Sequence, residues 1–393
     1  MEYSDCRAGA IWDESYLAYD FGDHPMNPVR LDLTIRLARE LGVLDRLDVT
    51  APRAADQAAL LTIHDADYLA AVRRASEDPT YSGYGLGTTD DPVFAGMYDA
   101  SALIAGGSAQ AALRVWRGEV EHAVNIAGGL HHAMRGSASG FCIFNDVVLG
   151  IRTLLAEGAT RIAYVDVDVH HGDGVQAAFY DDPRVLTVSM HQDPRTLFPG
   201  TGLPTEIGRG DAEGTAVNVA LPPGTDDVGW LRAFQAIVPG AVRAFKPDIL
   251  VTQCGCDTHH EDPLANLELT VDGQRTAIAA LHALAHEAAG GRWLAFGGGG
   301  YGLVRCVPRT WTHLLAEATG RPIAPGTAVP AAWTAHLRDR GVSAQLPTTM
   351  GERPVPEVVP WLPGGEGWLD GAIGATRRAV FPLLGLDPDD PRD

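Results

Sequence analysis

The chain has 393 residues, of which 46% are hydrophobic and 20% are charged, a composition typical of a globular protein with a large core. The formal net charge of −20 argues against nucleic acid or an anionic membrane as a partner, because both bind clustered Lys and Arg. No apolar run reaches the ~18 residues of a transmembrane helix, and the N-terminus does not resemble a signal peptide. Five cysteines without a CxxC pair favour a reducing compartment, so we expect a cytoplasmic protein.

Strands and helices are predicted to alternate along most of the chain. The first half is predicted to contain strands at 8–13, 60–64, 123–126 and 162–169, helices at 31–41, 65–75, 95–116 and 145–157, and a long polar loop at 76–92. The second half is predicted to contain strands at 185–190, 249–252 and 293–296, and helices at 228–245, 270–289 and 303–317. This alternation predicts an α/β fold with a central, mostly parallel sheet flanked by helices.

The alternation weakens after about residue 320. Pro-rich segments at 322–330 and 347–363 are interspersed with predicted helices near 331–340 and 368–380. We therefore predict one domain over residues 1–320 and an extension over residues 321–393, which packs on the same domain or forms a subunit contact. The sequence leaves the oligomeric state open.

The segment Arg161–Gly174, RIAYVDVDVHHGDG, places polar groups in an apolar strand. Asp166, Asp168 and His170 occupy alternate positions, which in a strand point to the same face. Two carboxylates and an imidazole on a buried face are unfavourable unless they bind a cation or share protons. A salt-bridged strand end is the alternative explanation, but Asp173 adds a further polar group.

Other predicted strands also end in polar residues, and ligands of open α/β sheets bind at the carboxyl ends of strands. This rule brings together at one rim the histidines and carboxylates of several predicted strand ends, together with one tyrosine: His131, His132, Asp166, Asp168, His170, Asp173, His191, Asp257 and Tyr301.

Two carboxylates and one imidazole, from Asp168, His170 and Asp257, match the three-ligand pattern of a catalytic zinc site with one position left for water. Fe²⁺ suits the same ligands. Two anionic ligands leave such a site nearly neutral, so the metal should acidify its bound water less than it would with three neutral imidazoles. A general base therefore becomes useful. His131 and His132 can supply it after the Gly128-Gly129 turn.

Three further residues have predicted roles at this rim. Asp166 and Asp173 are available to orient the two histidines, since a His–Asp pair fixes the tautomer and raises basicity. Tyr301 follows four glycines and can donate a hydrogen bond to a developing oxyanion. The glycines could instead form a phosphate loop, but no Lys-Ser/Thr follows them.

Several strings together resemble a known family. These are DHPMNPVRL (23–31), GGLHHA (128–133), SGFCIFND (139–146), VDVDVHHGDGVQ (165–176), FPGTG (198–202), QCGCDTHHEDPLANLELT (253–270) and GGGGY (297–301). They are similar to the class I-type histone deacetylases of the arginase/deacetylase superfamily. The resemblance covers roughly residues 8–315. It implies a zinc-dependent amidohydrolase that removes acetyl from N-ε-acetyl-lysine, with 1–320 as its catalytic domain.

The resemblance also implies a role for individual residues. Asp168, His170 and Asp257 match the metal ligands. His132 with Asp173 matches the general base and acid, His131 with Asp166 the electrostatic histidine, and Tyr301 the phenol that polarises the substrate carbonyl. Gly140, Phe141 and Phe198 match the walls of the acyl-lysine tunnel, Asp90 (or Asp91, one residue on) the rim carboxylate, and Arg30 an arginine near the acetate exit. A structural K⁺ would bind at Asp166, Asp168, His170, Ser189 and Met190, and a second at Phe179, Asp182 and Val185.

Three other functions are compatible with parts of the pattern. An acetylpolyamine amidohydrolase would use the same metal site, but Leu264 stands where an acidic gate for small cations is expected. A binuclear arginase-type hydrolase would need additional Asp ligands and would have no use for Tyr301. A reader of acyl-lysine would not need a complete set of catalytic residues. For the favoured deacetylase, the resemblance implies an acetylated protein such as an acetyl-CoA synthetase as substrate.

Overall fold

The computed structural model describes residues 5–342 and 345–393. Its strands are β1 (Ala8–Ile11), β2 (Asp48–Thr50), β3 (His122–Asn125), β4 (Ile162–Asp166), β5 (Val185–Gln192), β6 (Ala216–Leu221), β7 (Ile249–Gln253) and β8 (Trp293–Phe296). Its helices are α1 (Val29–Glu40), α2 (Gln57–Leu60), α3 (Ala66–Glu77), α4 (Met97–Trp116), α5 (Asp146–Ala156), α6 (Asp173–Phe179), α7 (Asp227–Phe245), α8 (Val271–Ala288), α9 (Val307–Ala318), α10 (Ala331–Asp339) and α11 (Trp368–Leu384).

The eight strands form one sheet in the order β2-β1-β3-β8-β7-β4-β5-β6, and every pairing is parallel. The predicted α/β fold with a central parallel sheet is therefore confirmed. Every residue of β4 and β5 is buried, as expected for strands that are covered on both faces. Most helices pack in two groups, α3-α4-α5-α6 and α10-α1-α9-α8-α7-α11. Because all strands run the same way, their carboxyl ends meet at one edge.

The central strand is shorter than predicted. It was predicted over 162–169, but β4 ends at Asp166. Beyond it, Oδ1 of Asp166 accepts the backbone N–H of Asp168 at 3.1 Å, and Oδ1 of Asp168 accepts that of His170 at 3.0 Å. These local bonds compete with the strand ladder. Asp168 and His170 thus lie on a turn, and strand alternation was the wrong reason to place them together.

Other predicted elements also need correction. The strand predicted at 60–64 is wrong: helix α2 covers Gln57–Leu60, capped by the side chain of Asp56, and a turn follows. The edge strands β2 and β6 and the short helix α6 were not predicted. Most of the remaining predicted elements are found with ends shifted by one to four residues, and the strand at 293–296 is found as predicted.

The segment after residue 320 contacts the sheet-containing part of the chain at several points. Trp333 of α10 donates its indole N–H to the carbonyl of Leu33 in α1 at 2.9 Å. Thr376 of α11 donates its hydroxyl to the carbonyl of Asn218 in β6 at 2.6 Å. Among the helices of the described residues, none is long and apolar enough to cross a membrane.

Candidate active site

Three ligand-type side chains meet where β4 and β7 end. Asp168 and His170 follow β4 and Asp257 follows β7, and one donor atom of each lies within 4.8 Å of the others. Nδ1 of His170 is 3.2 Å from Oδ1 of Asp168 and 3.1 Å from Oδ2 of Asp257. All three side chains are buried. The structure thus brings together the three residues expected to hold a metal.

The donor set fits a divalent cation. Burial and the neighbouring charge of Asp168 raise the pKa of Asp257 to about 7, although the hydrogen bond and charge of His170 act to lower it. Burial alone would lower the pKa of His170, but its bonds to Asp168 and Asp257 raise that pKa to about 10. Without an ion, the positive charge beside the two buried carboxylates comes from the protonated ring of His170. A divalent cation would displace that proton and supply the charge instead. A Cβ at Gly299 would lie 2.0 Å from Oδ2 of Asp257, so a side chain there would displace this carboxylate.

Two histidines lie beside this group, each paired with a carboxylate. Nδ1 of His131 is 2.7 Å from Oδ2 of Asp166, and Nδ1 of His132 is 2.7 Å from Oδ1 of Asp173. Carboxylates only accept, so each Nδ1 carries the proton and each Nε2 is turned inward. The two Nε2 atoms are 3.1 Å apart, so a charge on one ring acts directly on the other.

The two imidazoles differ in their affinity for protons. Burial alone would lower the pKa of His131, but the carboxylates of Asp166 and Asp168 outweigh it and raise that pKa to about 9. Burial and the positive charge of His131 lower the pKa of His132 to about 4, against the attraction of Asp173. His132 is therefore the neutral member of the pair and can accept a proton.

A cavity of about 210 Å³ leads from the surface to these groups. Its lining consists of Asp90, His132, Gly140, Phe141, His170, Leu197, Phe198, Leu264 and Tyr301. The ring centroids of Phe198 and His132 are 5.0 Å apart, and those of Phe141 and Tyr301 are 5.7 Å apart. Burial and the negative charges of Asp257 and Asp168 raise the pKa of Tyr301 well above its usual value. The phenol therefore keeps its proton and remains a donor.

The backbone at Gly140 and Phe141 is adapted to this cavity. Phe141 has φ +69°, a left-handed conformation that is uncommon for a bulky residue, and its carbonyl accepts the hydroxyl proton of Tyr19 at 2.8 Å. Gly140 has φ +54°, and a Cβ there would lie 2.6 Å from Cδ2 of His132. A larger residue at 140 would therefore collide with the histidine.

The two candidate rim carboxylates, Asp90 and Asp91, have different surroundings. Asp90 is exposed and lines the cavity. Asp91 is buried, and burial with the charge of Asp90 raises its pKa to about 7, although backbone N–H groups of Phe141 and Cys142 oppose the shift. Of the two, Asp90 is therefore the one placed to meet a ligand that enters the cavity.

His191, predicted at the rim, and Arg30, implied near the acetate exit, are not among the residues that line the cavity. His191 is buried, with Nε2 2.8 Å from the carbonyl of Gly202 and Nδ1 2.9 Å from the hydroxyl of Ser189, so it supports the loop that carries Phe198. Arg30 is buried beneath the glycine loop and donates from Nη1 to the carbonyl of Gly298 at 2.8 Å.

The residues implied in potassium binding lie at the ends of β4 and β5. Asp166 and Ser189 are register partners, and Met190 follows Ser189 in β5. The residues of the second group are joined by backbone bonds from Asp182 to Phe179 at 3.0 Å and from Val185 to Asp182 at 3.1 Å. Both potassium sites stay predictions.

Sequence reasoning missed several residues that hold the site in place. Gln253, the last residue of β7, donates from Nε2 to Oδ2 of Asp168 at 2.7 Å, and Tyr164 donates its hydroxyl to Asp166 at 2.5 Å. Asp146 accepts the backbone N–H groups of Gly129 and Leu130 and so fixes the turn before the histidines. The string QCGCD contained Gln253, and its position before the candidate ligand Asp257 was an available signal.

Comparisons with known proteins agree with this geometry. Residues 24–318 match the histone deacetylase domain model. The acetoin utilization protein AcuC of Bacillus subtilis (strain 168) is 42% identical over 328 residues, covering 82% of this chain and 84% of that protein. AcuC of Staphylococcus aureus (strain MSSA476) is 37% identical over 331 residues, covering 83% and 85%. The crystal structure of an HDAC homologue from Aquifex aeolicus is similar with a TM-score of 0.81 and 28% identity, covering 94% of this chain and all of that one.

Proposed function

Because this chain belongs to the histone deacetylase family and is a deacetylase hydrolase, we propose that it removes acetyl groups from N-ε-acetyl-lysine side chains of proteins. The main support for this proposal is the cavity lined by the rings of Phe141 and Phe198. This cavity joins the exposed carboxylate of Asp90 to His132 and Tyr301. An acetylated lysine is long, uncharged at its amide and apolar along its stem. A narrow channel with aromatic walls and polar groups at its end suits that shape.

Asp168, His170 and Asp257 would hold the divalent cation on which this family depends, and we propose Zn²⁺, with Fe²⁺ compatible with the same donors. The cation would polarise the acetyl carbonyl and make a water molecule easier to deprotonate. The protein contributes a buried, closely spaced set of donors at the end of the cavity.

His132 would move the proton of the reaction. Its neutral Nε2 accepts a proton from the attacking water as the oxygen bonds to the carbonyl carbon, and Asp173 stabilises the resulting imidazolium. When the C–N bond breaks, His132 delivers that proton to the lysine nitrogen, leaving acetate and free lysine. His131, held by Asp166, keeps positive charge beside the developing negative charge.

Tyr301 would stabilise the tetrahedral intermediate. The phenol donates a hydrogen bond to the carbonyl oxygen as negative charge accumulates on it. No side chain forms a covalent bond to the acetyl group in this scheme, so one water is consumed for each acetate released.

Leu264 supports a protein substrate over a polyamine. It lines the cavity beside the rim, where a carboxylate would favour a small cation, whereas a leucine can contact the apolar part of a peptide. The test compares an acetyl-lysine peptide with acetylspermidine at equal enzyme and metal concentrations. Higher kcat/KM for the peptide supports the proposal, and higher kcat/KM for acetylspermidine would replace it with polyamine deacetylation.

The natural substrate would be an acetylated protein, with an acetyl-CoA synthetase as the example that the family resemblance suggests. We extend the proposal to structural K⁺ at Asp166, Asp168, His170, Ser189 and Met190. Activity measured across K⁺ concentrations at constant ionic strength, with Na⁺ as the replacement, tests this extension. Equal activity in K⁺ and Na⁺ would contradict the proposed K⁺ site.

A further inference from the structure

A second cluster of metal-ligating side chains lies at the opposite edge of the sheet, at the amino ends of the strands. It consists of Cys6, just before β1, His122, the first residue of β3, and His282 and His286 near the end of α8; we call it the Cys-His cluster. One donor atom from each of the four residues lies within 4.8 Å of the others. The deacetylase site lies beyond the carboxyl end of β3, so the two clusters are separate.

The distances within the Cys-His cluster match a tetrahedral metal. Sγ of Cys6 lies 3.8 Å from Nε2 of His282 and 3.6 Å from Nε2 of His286, and the two Nε2 atoms are 3.1 Å apart. Tetrahedral Zn²⁺ with Zn–N of about 2.05 Å and Zn–S of about 2.3 Å separates two nitrogens by about 3.4 Å, and sulfur from nitrogen by about 3.6 Å. The donor atoms of Cys6, His282 and His286 are therefore spaced as such an ion requires, and a ring nitrogen of His122 lies within 4.8 Å of each of them.

Two of the imidazoles are already oriented as metal ligands. Nδ1 of His282 lies 2.9 Å from Oε1 of Glu317, and Nδ1 of His122 lies 2.7 Å from the carbonyl oxygen of Ala318. Both oxygens accept, so each Nδ1 carries the proton and each Nε2 presents a lone pair. A metal-bound histidine usually donates its other N–H to a carboxylate or carbonyl in this way.

An independent observation comes from His122. Its side chain is fully buried, and its Nε2 has no hydrogen-bond partner among the residues that the structure describes. Buried polar atoms of this kind are rare in folded proteins. The ring centroid of His122 lies 4.8 Å from that of His282 and 5.1 Å from that of His286. A metal shared with these histidines would therefore give the lone pair on Nε2 of His122 a partner.

The cluster is held by the end of α9. Glu317 and Ala318 orient two histidines, and the next residue, Thr319, accepts the backbone N–H of Cys6 at 3.2 Å. His282 and His286 are four residues apart on α8, so both lie on the same face of the helix. Residues separated by up to 280 positions in the chain thus converge on one point.

We propose that Cys6, His122, His282 and His286 bind a structural Zn²⁺ ion. A thiolate and three imidazoles are ligands that suit Zn²⁺, and four protein ligands fill a tetrahedral site without leaving a position for substrate. The ion would join the segment before β1, the start of β3 and the end of α8. It adds a second metal to the chain and takes no part in the deacetylase reaction.

The test uses Co²⁺ as the probe, added to the full chain after chelation and removal of all metals. We expect two Co²⁺ per chain and a near-ultraviolet thiolate-to-cobalt charge-transfer band, which the deacetylase ligands, having no sulfur, cannot produce. Cys6→Ser should abolish the band and reduce binding from two Co²⁺ per chain to one. His286→Asn, at a partly exposed position, should also lose one equivalent and serves if Cys6→Ser does not fold.

Two matched variants separate this site from the others. Asp257→Asn should keep the band while weakening the deacetylase site, so failure of either proposal is visible on its own. His260→Asn, in a different group with His259 and Glu352, should retain both equivalents. Wild-type protein without the charge-transfer band, or a band that survives in Cys6→Ser, would overturn the assignment.

Discussion

Nδ1 of His132 donates a hydrogen bond of 2.7 Å to Oδ1 of Asp173, which leaves Nε2 of the same ring turned toward the cavity. The carboxylate thus fixes which nitrogen can accept a proton. Asp173 is the first residue of α6, and a carboxylate in the first turn of a helix is stabilised by the helix dipole. The proposed base therefore depends on a helix that begins just after the turn that carries Asp168 and His170.

Replacing His132 by Ala should lower kcat for an acetyl-lysine peptide by about 10²- to 10⁴-fold, the range for removing a general acid–base group. Steady-state kinetics on metal-loaded protein measures the effect. Metal content and Tm should stay near wild type, because the three metal ligands are unchanged. A variant with wild-type kcat would show that another group transfers the proton.

Tyr301→Phe should lower kcat by about 10²-fold or more, because the intermediate loses one oxyanion donor. The ring that packs against Phe141 is retained, so KM should change little. Comparing kcat and KM for the same peptide separates the two effects. A rise in KM with unchanged kcat would assign Tyr301 to binding and remove it from oxyanion stabilisation.

Gln253→Met should weaken metal binding by about 10- to 100-fold, as expected when a residue that orients a ligand is lost. Methionine keeps a similar length but cannot donate to Asp168. Titration of the metal-free protein gives the affinity. Gln192→Met is the matched control, since the side chain of this buried glutamine hydrogen-bonds to Thr196 and Asn266 and to none of the three expected metal ligands. Equal affinities in both variants would contradict the positioning role.

Leu264→Glu should shift the substrate preference toward acetylspermidine. A carboxylate at this position would attract the amines of a polyamine and disfavour the apolar part of a peptide. The ratio of kcat/KM for acetylspermidine to that for an acetyl-lysine peptide should rise by about tenfold, which corresponds to about 1.4 kcal/mol of differential binding. Phe198→Leu is the control, because it alters the cavity wall without adding charge. An unchanged ratio in Leu264→Glu would show that this position does not select the substrate.

The sheet was predictable because its strands are short apolar runs between helical patterns. Parallel strands buried on both faces, such as β5, carry this signal strongly. The edge strand β2 was not predictable, since its three residues DVT are mostly exposed and lack an apolar pattern. The end of β4 was also missed, because Asp166 and Asp168 bond to the backbone two residues later, and such bonds are invisible in hydrophobic periodicity.

At the site, residue type and strand-end position were enough to select Asp168, His170 and Asp257 as neighbours. The supporting bonds of Gln253 and Tyr164 were not predictable, because they depend on side-chain directions in neighbouring strands. The Cys-His cluster was overlooked for a related reason. His282 and His286 have the four-residue spacing of ligands on one helix face, but Cys6 and His122 come from distant parts of the chain that only the sheet brings together.

Acid should weaken the attachment of the C-terminal extension through Glu352. Its carboxylate accepts from Arg309, lies 3.2 Å from Nε2 of His259, and accepts the backbone N–H of Val271 at 3.2 Å. Burial opposes the charge on Glu352, but His259 and Arg309 outweigh it and lower the pKa from 4.5 to about 2. A carboxyl group with a lowered folded-state pKa contributes stability above its unfolded pKa, and this contribution is lost as pH falls toward 2.

Glu352→Gln should therefore reduce the free energy of unfolding at pH 7 by on the order of 1–2 kcal/mol, after allowance for partial exposure. The difference from wild type should shrink as pH falls from about 4.5 toward 2, because protonated Glu352 resembles glutamine. Denaturant unfolding at several pH values measures it. Glu357→Gln, at an exposed position of the same segment, should match wild type throughout. A difference that stays constant with pH would mean that lost packing, and not lost charge, destabilises the variant.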